Sequence, residues 1–402
     1  MNQNKMLKGK KVLLGVTASI AAYKSAELVR LFKKAGASVR VIQTEASLQF
    51  VAPLTLATLS EGQVLTKMID SESGQWSNHV ELGLWADLMV VAPLTANSLS
   101  KMVHGDCDNL LLATYLSAKC PVYFAPAMDL DMYKHPSTKA NISKLEEYGN
   151  ILIPSGFGEL ASGLVGEGRM AEPQEIIEHI LFVLSKELPL SNKRVLITAG
   201  PTYEAIDPVR FIGNRSSGKM GIMLAIESAN SGAKVDLVLG PSALDCEHTN
   251  IKVHKVRSAS DMFTKVNILF PESDISIFAA AVSDYAPKKE DHKIKKSSNL
   301  LSIDFEQTKD ILSLMCTRKK ESQFVVGFAL ETENEIENAK SKLDSKNLDM
   351  IVLNSLNNKG AGFEFDTNKI TIIDKANTIT DCKLKDKKEV AKDIIKMILK
   401  QI

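Results

Sequence analysis

Short apolar runs rich in β-branched residues alternate with amphipathic stretches along this chain. "KKVLLGV" (10–16) predicts a strand. "IAAYKSAELVRLFKKAG" (20–36) then puts Leu28, Leu31, Phe32 and Ala35 at helical spacing, Gly36 ends the helix, and "SVRVIQT" (38–44) resumes a strand. The same order returns at mid-chain as "KRVLITAG", a helix through "GKMGIMLAIESANSG", and "KVDLVLG". Two such starts predict an α/β protein of two domains, each a mainly parallel sheet flanked by helices. Further strands are predicted at "DLMVVAP", "PVYFAP", "DISIFAAA", "QFVVGFALE", "DMIVLN" and "KITIID". Helices are predicted around 95–118, 136–148 and 173–186, and over about 386–400, where Val390, Ile394, Met397 and Ile398 share a face. The polar, proline-containing "KELPLSNKR" (186–194) sets the predicted boundary between domains 1–189 and 190–402.

Composition narrows the function classes. A chain of 402 residues with 45% hydrophobic content can bury two or three cores. The formal net charge of +1 gives no global field for nucleic acid or an anionic membrane. Five scattered cysteines without a C-x-x-C spacing argue against a disulfide framework or zinc site and fit a reducing compartment. The basic start passes through "VLLGVTASIAAY" straight into an amphipathic helix with no cleavage pattern, and no run reaches the roughly 18 apolar residues of a membrane span. A soluble, cytoplasmic protein is the expectation.

In the first half, polar residues follow three strand ends. Thr17 and Ser19 follow the first strand; Thr95, Asn97 and Ser98 follow "VVAPL"; Met128 and Asp129 follow "YFAPA". Ligands of open α/β sheets bind beyond such ends, and free amides at a helix N-terminus hold phosphate. Helix capping by Ser19 or Thr95 explains each residue singly, so both readings stand at this point. His79, in "NHVEL", is a candidate base because its ordinary pKa lies near neutrality.

"GVTASIAAYK", "NHVEL", "APLTANSLSKMVHG", "DNLL", "PAMDLDMY" and "GLVGEGRM" together resemble the flavin mononucleotide-dependent cysteine decarboxylases. They are most similar to the phosphopantothenoylcysteine decarboxylase half of the bifunctional coenzyme A enzymes. The resemblance spans about the first 180 residues and implies a flavodoxin-like or Rossmann-like flavoprotein domain. It implies FMN at Thr17, Ser19, Thr44, Thr95, Asn97 and Ser98, with His79 as catalytic base. Substrate would meet Asn109, Met128, Asp129, Arg169 and Met170. The implied reaction oxidises the cysteinyl thiol to a thioaldehyde, releases CO₂, and returns the electrons to the product. "GELASGLVGEGRM" (158–170) would be the lid over that site. Two positions depart from the family pattern. Asp129 stands where the family carries an asparagine, and Ser162 where it carries a proton-donating cysteine.

The second half is denser in chemistry. "TAGPTYEAIDPVRFIGNRSSGKMG" (198–221) runs from a strand end to Ser216, Ser217, Gly218 and Lys219 at the start of a helix, a setting suited to phosphate. It lacks the G-x-x-x-x-G-K-[ST] spacing of a P-loop. Arg210 and Asn214 could bind a developing oxyanion. Asp284 follows "FAAAVS" and precedes five lysines between 288 and 296, which read either as solvated surface or as a loop closing over phosphates. Phe328 ends a strand, and Lys342 and Lys346 share a helix face.

These segments resemble phosphopantothenate–cysteine ligase, a Rossmann-like domain, of the CTP-dependent bacterial type. The resemblance implies contacts to CTP from Ser216, Ser217, Gly218, Lys219, Ala280, Asp284, Lys293, Lys309, Asp310, Ile311, Leu312, Phe328, Lys342 and Lys346. Asn214 and Arg210 would act on the acyl group and its loop, and Mg²⁺ would accompany CTP with Asp284 as a candidate ligand. Partners would then be 4′-phosphopantothenate, L-cysteine and CTP, with neither nucleic acid nor membrane involved. A homo-oligomer is also implied, with trimeric flavin domains and dimeric ligase domains that could build a dodecamer. A rival reading keeps only the ligase as enzyme and makes the first half a flavin-binding or regulatory module. An NAD(P) oxidoreductase fails for want of G-x-G-x-x-G, and a nucleic-acid binder on neutral charge and missing aromatic motifs.

Overall fold

A computed structural model describes residues 6–69, 76–295, 302–355 and 365–402. The chain divides into two compact units, Met1–Leu184 and Ser185–Ile402. Lys296, the last of the lysine run, lies outside the described residues.

In the first unit the chain runs β1 (Lys11–Val16), α1 (Lys24–Lys34), β2 (Ser38–Gln43), α2 (Pro53–Ser60), β3 (Val64–Leu65), α3 (His79–Trp85) and β4 (Leu88–Leu94). It continues through α4 (Ala96–His104), α5 (Leu110–Ser117), β5 (Val122–Pro126), α6 (Leu130–Lys134), α7 (Pro136–Glu147) and β6 (Ile151–Leu152). A hairpin of β7 (Gly156–Glu159) and β8 (Val165–Arg169) precedes α8 (Pro173–Lys186). The sheet order is β3-β2-β1-β4-β5-β6, all parallel. Period-two alternation sorts the strand side chains to two faces. Val12, Leu14 and Val16 meet Leu28 and Phe32 of α1 and Ile176 and Ile180 of α8. Leu13, Met89 and Val91 meet Leu99, Leu111 and Leu145 on the other face. Both faces are covered, so the central strands are continuous apolar runs.

The stretch expected to be helical around 95–118 holds two helices, α4 and α5. Gly105 closes α4 in the left-handed conformation (φ +77°), which a residue with a Cβ adopts only at a cost. Asn109 then caps α5 by accepting the Leu112 N–H at 3.1 Å.

The second unit contains β9 (Arg194–Ala199), β10 (Tyr203–Ala205), β11 (Phe211–Gly213), α9 (Lys219–Asn230), β12 (Lys234–Leu239), β13 (Ile251–Lys255) and α10 (Ala259–Leu269). It continues with β14 (Ile275–Phe278), β15 (Tyr285–Pro287), β16 (Phe305–Gln307), α11 (Ile311–Cys316), β17 (Phe324–Glu331), α12 (Glu335–Ser345) and β18 (Met350–Ser355). The remaining elements are β19 (Thr367–Asn368), β20 (Ile370–Asp374), β21 (Ile379–Asp381), β22 (Lys385–Asp386) and α13 (Lys387–Leu399). Its main sheet has the order β13-β12-β9-β14-β17-β18-β20-β21; β20 and β21 run antiparallel and the other pairs parallel. Helices α9 and α13 pack Ile222, Leu224, Ile394 and Ile398 on one face, and α10 and α12 pack Met262, Val266 and Leu343 on the other. The loop after β9 is not irregular throughout. It folds into the β10–β11 hairpin, where the Tyr203 and Phe211 rings stack with centroids 4.1 Å apart.

Phe32 is wholly buried between α1 and the sheet. Phe32→Ala is therefore expected to destabilise the first unit by about 3–5 kcal/mol through lost burial and a residual void. Chemical denaturation measures this, and an unchanged midpoint would contradict the packing described.

Candidate functional site

Winding of the first sheet reverses between β1 and β4, and a crevice opens beyond their carboxyl ends. Thr17 holds it together. Its hydroxyl donates to the Pro93 carbonyl at 2.8 Å and accepts the Thr95 N–H at 3.0 Å. That hydroxyl therefore joins the two strand ends and is wholly buried, a positioning task the sequence did not suggest. Ser19 caps a short 3-10 turn by accepting the Ala21 N–H at 3.2 Å. Thr95 caps α4 through the Ser98 N–H at 3.5 Å; Ser98 is buried in that first turn and Asn97 is exposed. Thr44, at the end of β2, donates its N–H to Val16 at 3.0 Å. The six expected flavin positions thus follow the ends of three adjacent strands.

His79 is the first residue of α3, whose cap Asn78 accepts the Val80 and Glu81 N–H groups. Its Nδ1 is buried and has no hydrogen-bond partner among the described residues. A buried ring nitrogen left unmatched costs free energy unless a ligand or water meets it. The Trp76 ring stands edge-on to it at 6.0 Å. Hydroxyls, a helix N-terminus and this orphaned nitrogen fit a phosphorylated aromatic group such as a flavin nucleotide.

Beyond β5, the turn at Pro126–Asp129 is fastened to the β7–β8 hairpin. Met128 N–H donates to the Gly168 carbonyl at 3.0 Å. Gly168 has φ +126°, and a Cβ there would stand 2.6 Å from the Met128 carbonyl oxygen, so only glycine fits. The Lys24 ammonium, almost wholly buried, reaches the Met170 carbonyl at 3.0 Å and the Glu172 carboxylate at 2.9 Å. This bond to Lys24 is the main cause holding the Glu172 carboxyl below its usual range. Sequence reading missed Lys24 and Glu172, which lie 148 residues apart. Arg169 also pairs with Glu172, at 2.8 Å. Asn109 is engaged as a cap and in a bond to Asp108 at 2.9 Å, and Met170 is buried. Ser162 is exposed in the hairpin turn. The half-buried Asp129 carboxylate has no hydrogen bond or ion pair among the described residues.

The winding of the second sheet reverses between β9 and β14, and a cleft opens there as well. A cavity of about 340 Å³ is lined by Ser216–Gly221, Ala279–Val282, Asp284, Phe328 and Lys342. A second, of about 200 Å³, shares Ala280, Asp284, Phe328 and Lys342 and adds Lys309–Leu312 and Lys346. Thirteen of the fourteen residues expected to meet CTP line one or the other cavity. The exception is Lys293, which is exposed and lines neither. Gly218, left-handed at φ +79°, precedes α9 without a side-chain cap of its own, the Lys219 N–H reaches the Ser217 hydroxyl at 3.4 Å, and the start of the helix faces the cavity. The Lys342 ammonium donates to the Phe328 carbonyl at 2.9 Å, and Lys346 pairs with Asp310 at 2.7 Å. Lys309 stands over the Phe263 ring, 4.5 Å from its centroid.

Asn214 lines the cleft, but its amide donates to the Ala281 and Val282 carbonyls at 3.0 and 3.4 Å, tying the 214 loop to the segment after β14. Arg210 lies outside both cavities. Its guanidinium grips Asp207 at 2.9 and 2.6 Å and donates to the Ile294 carbonyl at 2.9 Å. Burial would raise the Asp207 carboxyl; the Arg210 guanidinium and the Val209, Arg210 and Ile294 N–H groups overcome this and hold it far below the usual range. Arg210 thus fastens the lysine-bearing loop to the "DPVR" turn. Asn354, Asn368 and Lys387 also line the larger cavity, and sequence reading had assigned none of them. Among the described residues no group of three or more His, Cys, Asp or Glu is placed to hold a metal ion. No helix among them is long and apolar enough to cross a membrane.

The chain matches the family described as Flavoprotein over residues 1–185 and the DNA/pantothenate metabolism flavoprotein C-terminal domain over 190–402. It is 42% identical to the coenzyme A biosynthesis bifunctional protein CoaBC of Bacillus subtilis, covering 98% of this chain and 97% of that one. Identity to the Haemophilus influenzae CoaBC is 39%, covering 98% of each. It is also 54% identical to a cysteine/cysteine sulfinic acid decarboxylase from an unknown prokaryotic organism, over 87% of this chain and 99% of that protein.

Burial above all, and then the Lys346 ammonium, hold Lys342 below the ordinary lysine range. An anion bound beside it would raise it again. Binding of an anion such as sulfate is therefore expected to take up protons, increasingly as pH rises toward the lowered Lys342 value, and Lys342→Met should abolish the uptake. Calorimetry in buffers of different ionisation enthalpy reads it; proton release by the unaltered protein would refute the assignment.

Proposed function

This chain belongs to the family of bifunctional coenzyme A biosynthesis proteins, enzymes with a decarboxylase and a ligase domain. From that premise we propose that residues 190–402 join 4′-phosphopantothenate to L-cysteine using CTP, and that residues 1–189 decarboxylate the product with FMN. The observation that carries the reading is the second cleft, where the start of α9, Asp284, Phe328 and Lys342 converge at one switch point.

In the ligase the phosphopantothenate carboxylate attacks the α-phosphorus of CTP, and pyrophosphate leaves. The cysteine amine then attacks the acyl carbon, CMP leaves, and the amide forms. Lys342 and Lys346 balance charge on the phosphates, Asp284 would hold a Mg²⁺ that offsets more of that charge, and the start of α9 faces the phosphate oxygens. Asn214 and Arg210 keep the two loops bordering the reaction in place.

In the first unit the crevice of Ser19, Thr95, Asn97 and Ser98 would hold FMN by its phosphate. Bound FMN would supply the two-electron oxidation at sulfur that makes the carboxylate labile. His79 holds and moves the proton at its unmatched Nδ1. Ser162 offers a hydroxyl far less acidic than a thiol of pKa ~8.5, so the last proton reaches the product by another group. Exposed Phe157 and Val165 on the first hairpin and Phe211 and Ile212 on the second support a homo-oligomer, with trimeric flavin and dimeric ligase domains.

A second reading is favoured by Asp129 together with the 54% identical relative. A free amino acid carries an α-ammonium that an acylated cysteine lacks. An unmatched carboxylate attracts that ammonium, and repels a substrate offering only a carboxylate. On this reading the first unit acts on unacylated cysteine or its sulfinate.

Purified protein supplied with phosphopantothenate, CTP, Mg²⁺ and cysteine should release pyrophosphate and then CO₂ in equal amounts. Omitting CTP should stop both. Pyrophosphate without CO₂ would refute the decarboxylase assignment. CO₂ from cysteine or cysteine sulfinate alone, abolished in Asp129→Asn, would establish the second reading.

A further inference from the structure

Helix α1 of the first unit begins with a lysine whose backbone and side chain serve different parts of the molecule. Lys24 closes the 3-10 turn Ile20–Tyr23, its N–H donating to the Ala21 and Ala22 carbonyls, and Ser19 opens that same turn. Ile20 and Tyr23 are exposed, so packing does little to fix the turn. The side chain runs the other way. It is almost wholly buried, and its ammonium meets the Met170 carbonyl at 3.0 Å and the Glu172 carboxylate at 2.9 Å, where the β7–β8 hairpin joins α8. Ser25, wholly buried, donates to the Ala92 carbonyl of β4 at 3.1 Å, so the start of α1 is also pinned to the sheet.

The stem of the hairpin carries the contact onward. Glu172 also accepts from Arg169 at 2.8 Å, and the Gly168 carbonyl accepts the Met128 N–H at 3.0 Å. A Cβ at Gly166 would stand 2.4 Å from the Leu130 side chain, so the hairpin lies directly on the start of α6. One buried ammonium therefore joins the turn beside the first crevice to the turn at Pro126–Asp129. Away from Glu172 and Met170 that cation would stand uncompensated, so the contact keeps its geometry. Accepting the reading of the first crevice as a flavin site, we propose that Lys24 is a positioning residue that couples flavin binding to the set of the hairpin. A phosphate held by the amides of the turn fixes residues 19–23 and with them the Lys24 side chain. The hairpin stem and the Pro126–Asp129 turn then lose freedom together. By reciprocity, a hairpin held in place tightens the crevice around the flavin.

Hydrogen–deuterium exchange of the full chain, with and without FMN, tests the coupling. In the unaltered protein FMN should slow exchange at 156–170 as well as at 94–99, by about 5- to 150-fold at the hairpin, the span of ordinary coupling between sites. Lys24→Met should lose the slowing at 156–170 and keep it at 94–99, and Lys24→Arg should restore part of it. A lysine that only stabilised the fold would, when replaced, speed exchange at the hairpin equally with and without FMN, and that result would overturn the proposal. So would a hairpin indifferent to FMN in the unaltered protein while 94–99 responds, an outcome that leaves the flavin reading standing. Where Lys24→Met does not fold or bind FMN, Glu172→Gln decides, since it removes the partner from a side chain 46% exposed. Loss of the FMN effect at the hairpin alone then supports the coupling, and its full retention overturns it. If FMN slows neither segment of the unaltered protein, the flavin reading of the crevice falls together with the coupling.

Discussion

A threonine hydroxyl bridging two parallel strands where the winding reverses is the contact on which each candidate site depends. Neighbouring connections leave to opposite faces at that point, so the strand ends separate and a crevice opens. In the first unit Thr17 spans it, bound to Pro93 and Thr95. In the second, Thr198 accepts the Ala280 N–H at 3.3 Å, and Thr202 accepts the Ser283 N–H at 3.0 Å. The gap is held at fixed width without filling it with side chains. Hydroxyls serve here because a buried strand end leaves amides and carbonyls that must be matched, while a larger side chain would close the crevice.

Around these crevices the charges are arranged to hold loops first and to meet ligands second. Asp207 and Arg210 fasten the 288–295 segment, Lys24 and Glu172 fasten the end of the first hairpin, and Asp310 holds Lys346 over the smaller cavity. Lys342 and Lys387 belong to the wall of the cleft itself. Both are cations whose pKa burial pushes down, and both line the larger cavity.

Much of this was legible in sequence because it is local. Strand–helix order followed from periodicity, and "NRSSGKMG" and "FAAAVSD" announced strand ends beside a helix start. The positions that escaped are those defined by distance along the chain. Nothing near Lys24 marks it as a partner of Glu172, and nothing in the packing face of α13 marks Lys387 as a cavity residue, since its neighbours Val390 and Ile394 read as core. The helix start at Asn109 was legible because a capping residue follows the glycine that ends α4 in the left-handed conformation. Arg210 was read both as an oxyanion ligand and as a support for its loop, and its bonds to Asp207 and Ile294 fit the second role.

The central claim is that the two switch-point crevices are the ligand sites, each for its own ligand. Hydrogen–deuterium exchange of the full chain with FMN or with CTP tests it most directly. The account predicts that FMN slows exchange at 16–20 and 94–99, and that CTP slows it at 216–221 and 279–284, with neither ligand producing the other's pattern. Protection by CTP confined to segments away from the second crevice, or by FMN away from the first, would contradict it.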